Sequence, residues 1–327
     1  MQRMMKAVAA VLLMVAVTFT VGCKPDNNDS DVKVTTFTPQ DITNETAVCG
    51  GEVSVPQGLT PSELGVCWGT SLNPIAEDAH RSTTDWNDPF VCTITGLEQN
   101  TNYHVRAYAL CDMEYYFGED KSFTTDFAPH EYVDLGLPSG TLWATYNVGT
   151  ETPDAYGYYF AWGETEPKTT YDWTNYKYCN GDANQLTKYC NNSTYGYIGF
   201  TDTLVFLLPE DDAAIAYWGK NWCIPSDDQW RELFTNTSRS WRSQNGVYGS
   251  LFTASNGNTL FLPAAGYYAG DEFFEEGSGC VYWSNSIQTT YPYGGDIIHS
   301  GYSFCMINAA YRKNGLPVRA VRSLSRN

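Results

Sequence analysis

From Val32 to Thr125 the chain runs in short stretches of alternating apolar and polar residues broken by turn residues. A period of two suits extended strands, and many short strands with turns between them build a sandwich of two sheets. In the clearest stretch Val105, Ala107 and Ala109 fall on one face and His104, Arg106 and Tyr108 on the other. Gly65-Val66-Cys67-Trp68-Gly69-Thr70-Ser71 suits a central strand with Trp68 in the core, and Lys121-Ser122-Phe123-Thr124-Thr125 a last strand. Residues 32–125 are therefore expected to form an all-β sandwich.

Residues 126–129, ending in Pro129, read as a hinge, and beyond it the composition changes: eight of the ten tryptophans follow residue 130. Two helices are predicted there. One starts after Pro209 with Glu210, Asp211 and Asp212 at its positive end and stops at Gly219. The other has Ser226 as N-cap and Gln229 three residues on, with Trp230, Leu233 and Phe234 as its apolar stripe. Asn256-Gly257 between Ser250–Thr253 and Thr259–Leu262 marks a hairpin. Few helices among many short strands imply an α+β second domain over residues 130–323, so the chain is multidomain.

The 327 residues carry 19 Lys and Arg against 37 Asp and Glu, a net charge of −18. Phosphate neutralisation needs a basic stripe, so no nucleic-acid partner is expected. Arg3 and Lys6 precede an apolar stretch from Ala7 to Gly22, too short to span a bilayer and read as a secretory signal over residues 1–22. Small residues then lead into Cys23, and residues 23–31 form a polar tether rich in Asn and Asp. Nine further cysteines follow, an odd number with no CxxC. Some are expected to pair in an oxidising compartment. Cys179 and Cys190 are the expected loop staple.

Several segments resemble known families. Thr20-Val21-Gly22-Cys23 resembles the bacterial lipoprotein processing box, which makes Cys23 the lipidated first residue and implies a membrane partner through the lipid. Asp26, Asp29 and Asp31 resemble the signal that sends some outer-membrane lipoproteins to the cell surface. Leu97-Glu98-Gln99-Asn100-Thr101-Asn102-Tyr103 resembles the fibronectin type III entry to its sixth strand, where the tyrosine makes a corner hydrogen bond. His130-Glu131-Tyr132-Val133-Asp134-Leu135-Gly136-Leu137-Pro138, Trp222-Cys223-Ile224-Pro225-Ser226 and Gly315-Leu316-Pro317-Val318-Arg319 resemble the Fibrobacter succinogenes major paralogous domain. That resemblance implies a C-type-lectin-like fold related to sulfatase-modifying factors, and little about chemistry.

No G-x-S-x-G elbow, Walker loop or H-E-x-x-H occurs, so no catalytic residue and no enzyme activity is expected. Trp86-Asn87-Asp88 copies the residue types that bind calcium in C-type lectins, but it falls in the sandwich; no metal or other cofactor is expected, with calcium the alternative that no motif supports. Exposed aromatics beside Asp, Asn or Glu suit sugars, which stack on the ring and bond through their hydroxyls. The candidates are Tyr171, Trp173 and Tyr176, then Tyr267 and Tyr268 with Asp271, then Tyr291 and Tyr293. Trp143, Trp162, Trp222, Trp230 and Trp283 are assigned to the core. The expected function is a surface adhesion module for glycan or host-surface protein. The rivals are a sulfatase-modifying-like or glycoside-active enzyme and a structural subunit of a surface assembly.

Overall fold

The computed structural model describes residues 31–83 and 89–323. Cys23, the leader and nearly all of the tether lie outside that range, as does Trp86-Asn87-Asp88. The chain divides into two compact units, one ending at Thr125 and one beginning at Asp126.

Among its described residues the first unit contains eight strands: β1 (Lys33–Thr36), β2 (Thr46–Ser54), β3 (Glu63–Gly69), β4 (Ala79–Thr83), β5 (Phe90–Thr95), β6 (Asn102–Cys111), β7 (Glu114–Phe117) and β8 (Lys121–Thr124). One sheet runs β1-β2-β5. The other runs β4-β3-β6, with β7 and β8 following one another along β6. All pairings are antiparallel, and this order is that of a fibronectin type III sandwich. Val105, Ala107 and Ala109 are fully buried between the sheets, as the alternation requires. The Tyr103 hydroxyl accepts the Glu98 N–H at 3.0 Å, the corner bond that its setting implied. Two details differ from expectation. Trp68 is only half-buried and caps the edge of the core. Tyr108 lies on the outer face yet is fully buried, because Tyr115 and Phe117 cover it and its hydroxyl donates to Glu63.

The described part of the second unit is mostly β, a set of small antiparallel sheets with two α-helices. A first sheet runs from β9 (Tyr132–Asp134) through β10 (Thr141–Ala144) to β21 (Val321–Ser323), and β11 (Tyr159–Phe160) pairs β20 (Leu316–Pro317). The chain ends of the unit are thereby tied together. The helices α1 (Ala213–Trp218) and α2 (Asp227–Asn236) lead into the meander β12 (Thr237–Gln244), β13 (Val247–Ala254), β14 (Thr259–Pro263). A hairpin of β15 (Tyr267–Ala269) and β16 (Glu272–Phe274) precedes the sheet β17 (Cys280–Ile287), β18 (Gly294–Ser300), β19 (Cys305–Tyr311).

The second helix forms as its sequence dictates. Ser226 Oγ accepts the Gln229 N–H, Gln229 Oε1 accepts the Ser226 N–H, and Trp230 and Leu233 are fully buried. The first departs from expectation. Pro209–Asp211 is a separate 3-10 turn, and α1 is capped by Asp212, which accepts the N–H groups of Ala214 and Ile215. The chain leaves α1 through Gly219 at φ 84°, where a side chain would also strike Phe127. Trp143, Trp162, Trp230 and Trp283 are fully buried and Trp222 nearly so. Trp162 and Trp283 anchor a core between β11, α1 and one face of β17–β18. Trp143 and Trp230 anchor another between α2, the meander and the opposite face.

Candidate functional site

Opposite residues of an antiparallel sheet share a face. The register therefore places Val281, Ile297, His299, Asn308 and Ala310 together on the face of β17–β18–β19 away from α2. Above that face lies a cleft of about 350 Å³. Tyr291 and Tyr293 enter from the β17–β18 connection, Tyr267 and Glu275 from the β15–β16 side, and Tyr311 and Asn314 from the end of β19. The connection is held by Gly294 N–H to Tyr291 O at 2.8 Å and Gln288 N–H to Gly294 O at 3.0 Å.

The Arg312 N–H donates to Tyr293 O at 3.0 Å, which locks Tyr293 beside Tyr311. Arg312 itself is fully buried, its guanidinium over the rings of Trp162 and Tyr176 at 5.5 and 5.7 Å. Tyr291 and Tyr311 are about half exposed. Among the described residues the hydroxyls of Tyr267, Tyr291, Tyr293 and Tyr311 have no hydrogen-bond partner in the protein. Burial, then the neighbouring Glu275, raises the Tyr267 hydroxyl above its ordinary pKa. Desolvation and the surrounding tyrosines do the same for Tyr293. These hydroxyls stay neutral and able to donate. Glu275 is the one carboxylate of the lining, and its Oε2 meets His299 Nε2 at 2.8 Å.

The other aromatic candidates lie elsewhere. Tyr176 is 3% exposed, donates to Trp162 O at 2.8 Å and belongs to the core. Tyr171 is 1% exposed and its hydroxyl donates to Tyr159 O at 2.6 Å. Tyr268 stacks on Phe273 at 4.5 Å. Tyr171 and Tyr268 wall a different depression, whose Lys168 is held by Glu164 at 2.5 Å. Trp173 is half-buried with its ring 6.3 Å from that of Tyr311, and Asp271 is exposed in the β15–β16 turn. The ligand role expected of Tyr171 and Tyr176 is thus corrected to framework. Sequence reasoning missed Tyr311, Asn308 and Asn314. Their one local signal is a polar residue inside a strand just before the Gly315-Leu316-Pro317 phrase.

The staple is corrected too. All nine described cysteines are free thiols. Cys179 Sγ donates to Trp173 O and Cys190 Sγ to Asn192 O, each at 3.1 Å, so each thiol is held within its own turn. The loop is instead held by charge. Asp211, 1% exposed, accepts Lys188 Nζ at 2.5 Å, Tyr189 Oη at 2.5 Å and the Tyr178 hydroxyl. Burial alone would raise its pKa, but the Lys188 bond and the two phenols outweigh this and hold the carboxyl below its usual range.

A third depression, of about 240 Å³, contains Asp227 at the start of α2 and Asp296 on β18. Burial first, then the charge and hydrogen bond of Asp227, push Asp296 up to about 7, while Arg231 acts in the opposite direction. An acid whose folded pKa is raised binds its proton in the folded state while the unfolded chain has lost it. Stability from this group is complete below about pH 4 and is lost as pH rises through about 7. Asp296→Asn is therefore expected to raise the thermal midpoint at pH 8 and leave it nearly unchanged at pH 4. A shift of equal size at both values would refute the raised pKa of Asp296.

No family model matches the chain, and no curated protein does. Solved structures match over its smaller part. A sensor domain of the anti-sigma factor RsgI4 of Pseudobacteroides cellulosolvens is 17% identical, with 29% of this chain and 94% of that chain covered at a TM-score of 0.23. A fibronectin type III domain derived from the human KIAA0970 protein is 17% identical, with 34% and 90% covered at a TM-score of 0.23. A computationally redesigned β-sandwich protein is 26% identical, with 28% and 94% covered at a TM-score of 0.22.

Proposed function

We propose that this chain is an envelope lipoprotein whose second unit, a C-type-lectin-like head of the Fibrobacter succinogenes major paralogous kind, binds glycan without transforming it. The observation that carries this reading is the cleft on β17–β18–β19. It combines four tyrosines with free hydroxyls and two asparagines over an apolar floor of Val281 and Ile297. Aromatic faces cover the apolar side of a sugar ring, while phenol and amide groups bond its hydroxyls. Glycosidases mostly work with two carboxyl groups across the scissile bond. This lining has Glu275 alone, already paired with His299, which supports binding without turnover.

The test is a glycan and mucin binding screen with the full chain. Tyr293→Ala is expected to weaken binding about tenfold or more while leaving the thermal midpoint within a few degrees. Undiminished binding by a folded Tyr293→Ala protein would remove the cleft from the reading. The lipid anchor has a separate test. Cys23→Ala is expected to move the protein from the membrane fraction to the soluble one; recovery in membranes at the wild-type level refutes the anchor.

A further inference from the structure

We propose that the cleft takes an uncharged stretch of a sugar chain several units long, lying along Tyr291, Tyr293, Tyr311 and Trp173, and discriminates against acidic glycans. This inference rests on the glycan reading above and adds the class of glycan.

The first argument is the row of rings. Tyr291 and Tyr293 have centroids 5.7 Å apart, Tyr293 and Tyr311 5.8 Å, and Tyr311 and Trp173 6.3 Å. Successive rings are tilted by 34°, 41° and 71°, so the row curves rather than forming one flat stack. A single terminal sugar covers one ring. A row of four gives each next unit of a chain a further apolar surface, and binding grows with the number of rings covered.

The second argument is charge. The ionisable lining groups besides the phenols are Glu275 and His299, which satisfy each other at 2.8 Å. The two cations nearest in sequence to Tyr311 are already engaged within the protein. Arg312 is fully buried against Trp162 and Tyr176, and Lys313 Nζ donates to Tyr171 O at 3.2 Å and Asn314 Oδ1 at 3.1 Å. A carboxylate or sulfate entering the cleft would lose water without gaining a partner cation, beside Glu275 and on a chain of net charge −18. Neutral hydroxyls lose nothing comparable, because phenols and amides replace their water bonds.

Calorimetry with the full chain separates the outcomes. The neutral probes are gluco-, manno-, xylo-, galacto- and N-acetylglucosamine oligomers from single sugars to hexasaccharides. The acidic probes are oligogalacturonate, sialyllactose and chondroitin sulfate. One neutral series is expected to tighten about tenfold or more from mono- to tetrasaccharide, with every acidic probe about tenfold weaker or worse. Tyr311→Ala should abolish that gain with length yet spare the thermal midpoint, since the side chain is about half exposed. A monosaccharide bound as tightly as its tetrasaccharide, or an acidic probe bound more tightly than any neutral one, overturns this inference and leaves the glycan reading intact. Absence of binding by every probe overturns both.

Discussion

Asp211→Ala should cost the second unit about 3–5 kcal/mol, because it strips the carboxylate from a buried charge network and leaves the cation behind. Lys188 would keep its ammonium against the rings of Tyr178 and Tyr189 at 5.3 and 5.2 Å, with Lys177 also deprived of its partner at 3.6 Å. The two phenols that donate to Asp211 would lose their acceptor in the interior. Such a loss is a large part of the total stability of a domain, so the variant should unfold about 6–20 °C early or accumulate unfolded. Urea unfolding followed by tryptophan fluorescence reports this unit, since eight of ten tryptophans follow residue 130. Asp211→Asn, which keeps acceptor capacity but no charge, should fall between the two. A loss below about 1 kcal/mol for Asp211→Ala would mean that the network contributes no more than a surface ion pair.

Trp283→Ala should be of similar size for a different reason, about 3–5 kcal/mol from a cavity in the core. Trp283 is fully buried, its indole N–H donates to Phe160 O at 2.6 Å, and its own carbonyl accepts the Trp230 indole at 3.3 Å. The packing around it is close. A methyl group placed on Gly295 would come within 2.8 Å of Trp162 and 3.0 Å of Trp283. Trp283→Phe should recover roughly half the loss by refilling volume without the hydrogen bond. Equal stability of the alanine and wild-type proteins in calorimetry would show that the two cores do not depend on this side chain.

What could be foreseen from sequence follows how far apart the interacting groups lie along the chain. The alternation in β6 and the Ser226–Gln229 box are decided within a few residues, and both appear as expected. The acidic run before α1 reads in sequence as one helix start, yet its neighbours part company. Asp212 caps the helix locally, whereas Asp211 reaches a lysine 23 residues upstream. Tyrosine-rich loops mark where aromatic surface gathers but not which rings face water. Tyr171 and Tyr291 sit in similar polar surroundings, and only the pairing of Tyr171 with Gly270 and its contact with Gly315 sink it into the core. Asn308 and Tyr311 reach the cleft through the register of β18 with β19, a long-range property of which a polar residue inside a strand is the one local sign.

The buried thiols carry a practical consequence. Desolvation pushes Cys49, Cys223 and Cys280 up to about 12 and Cys67 to about 11, so hardly any of these four is a reactive thiolate at neutral pH. Alkylating reagents can then capture the buried Cys49, Cys67 and Cys280 only during moments when the chain opens. Four described thiols precede Thr125 and five follow Asp126. Timed trapping with mass analysis of each half would clock the breathing of the sandwich and of the head independently, with no probe added to either.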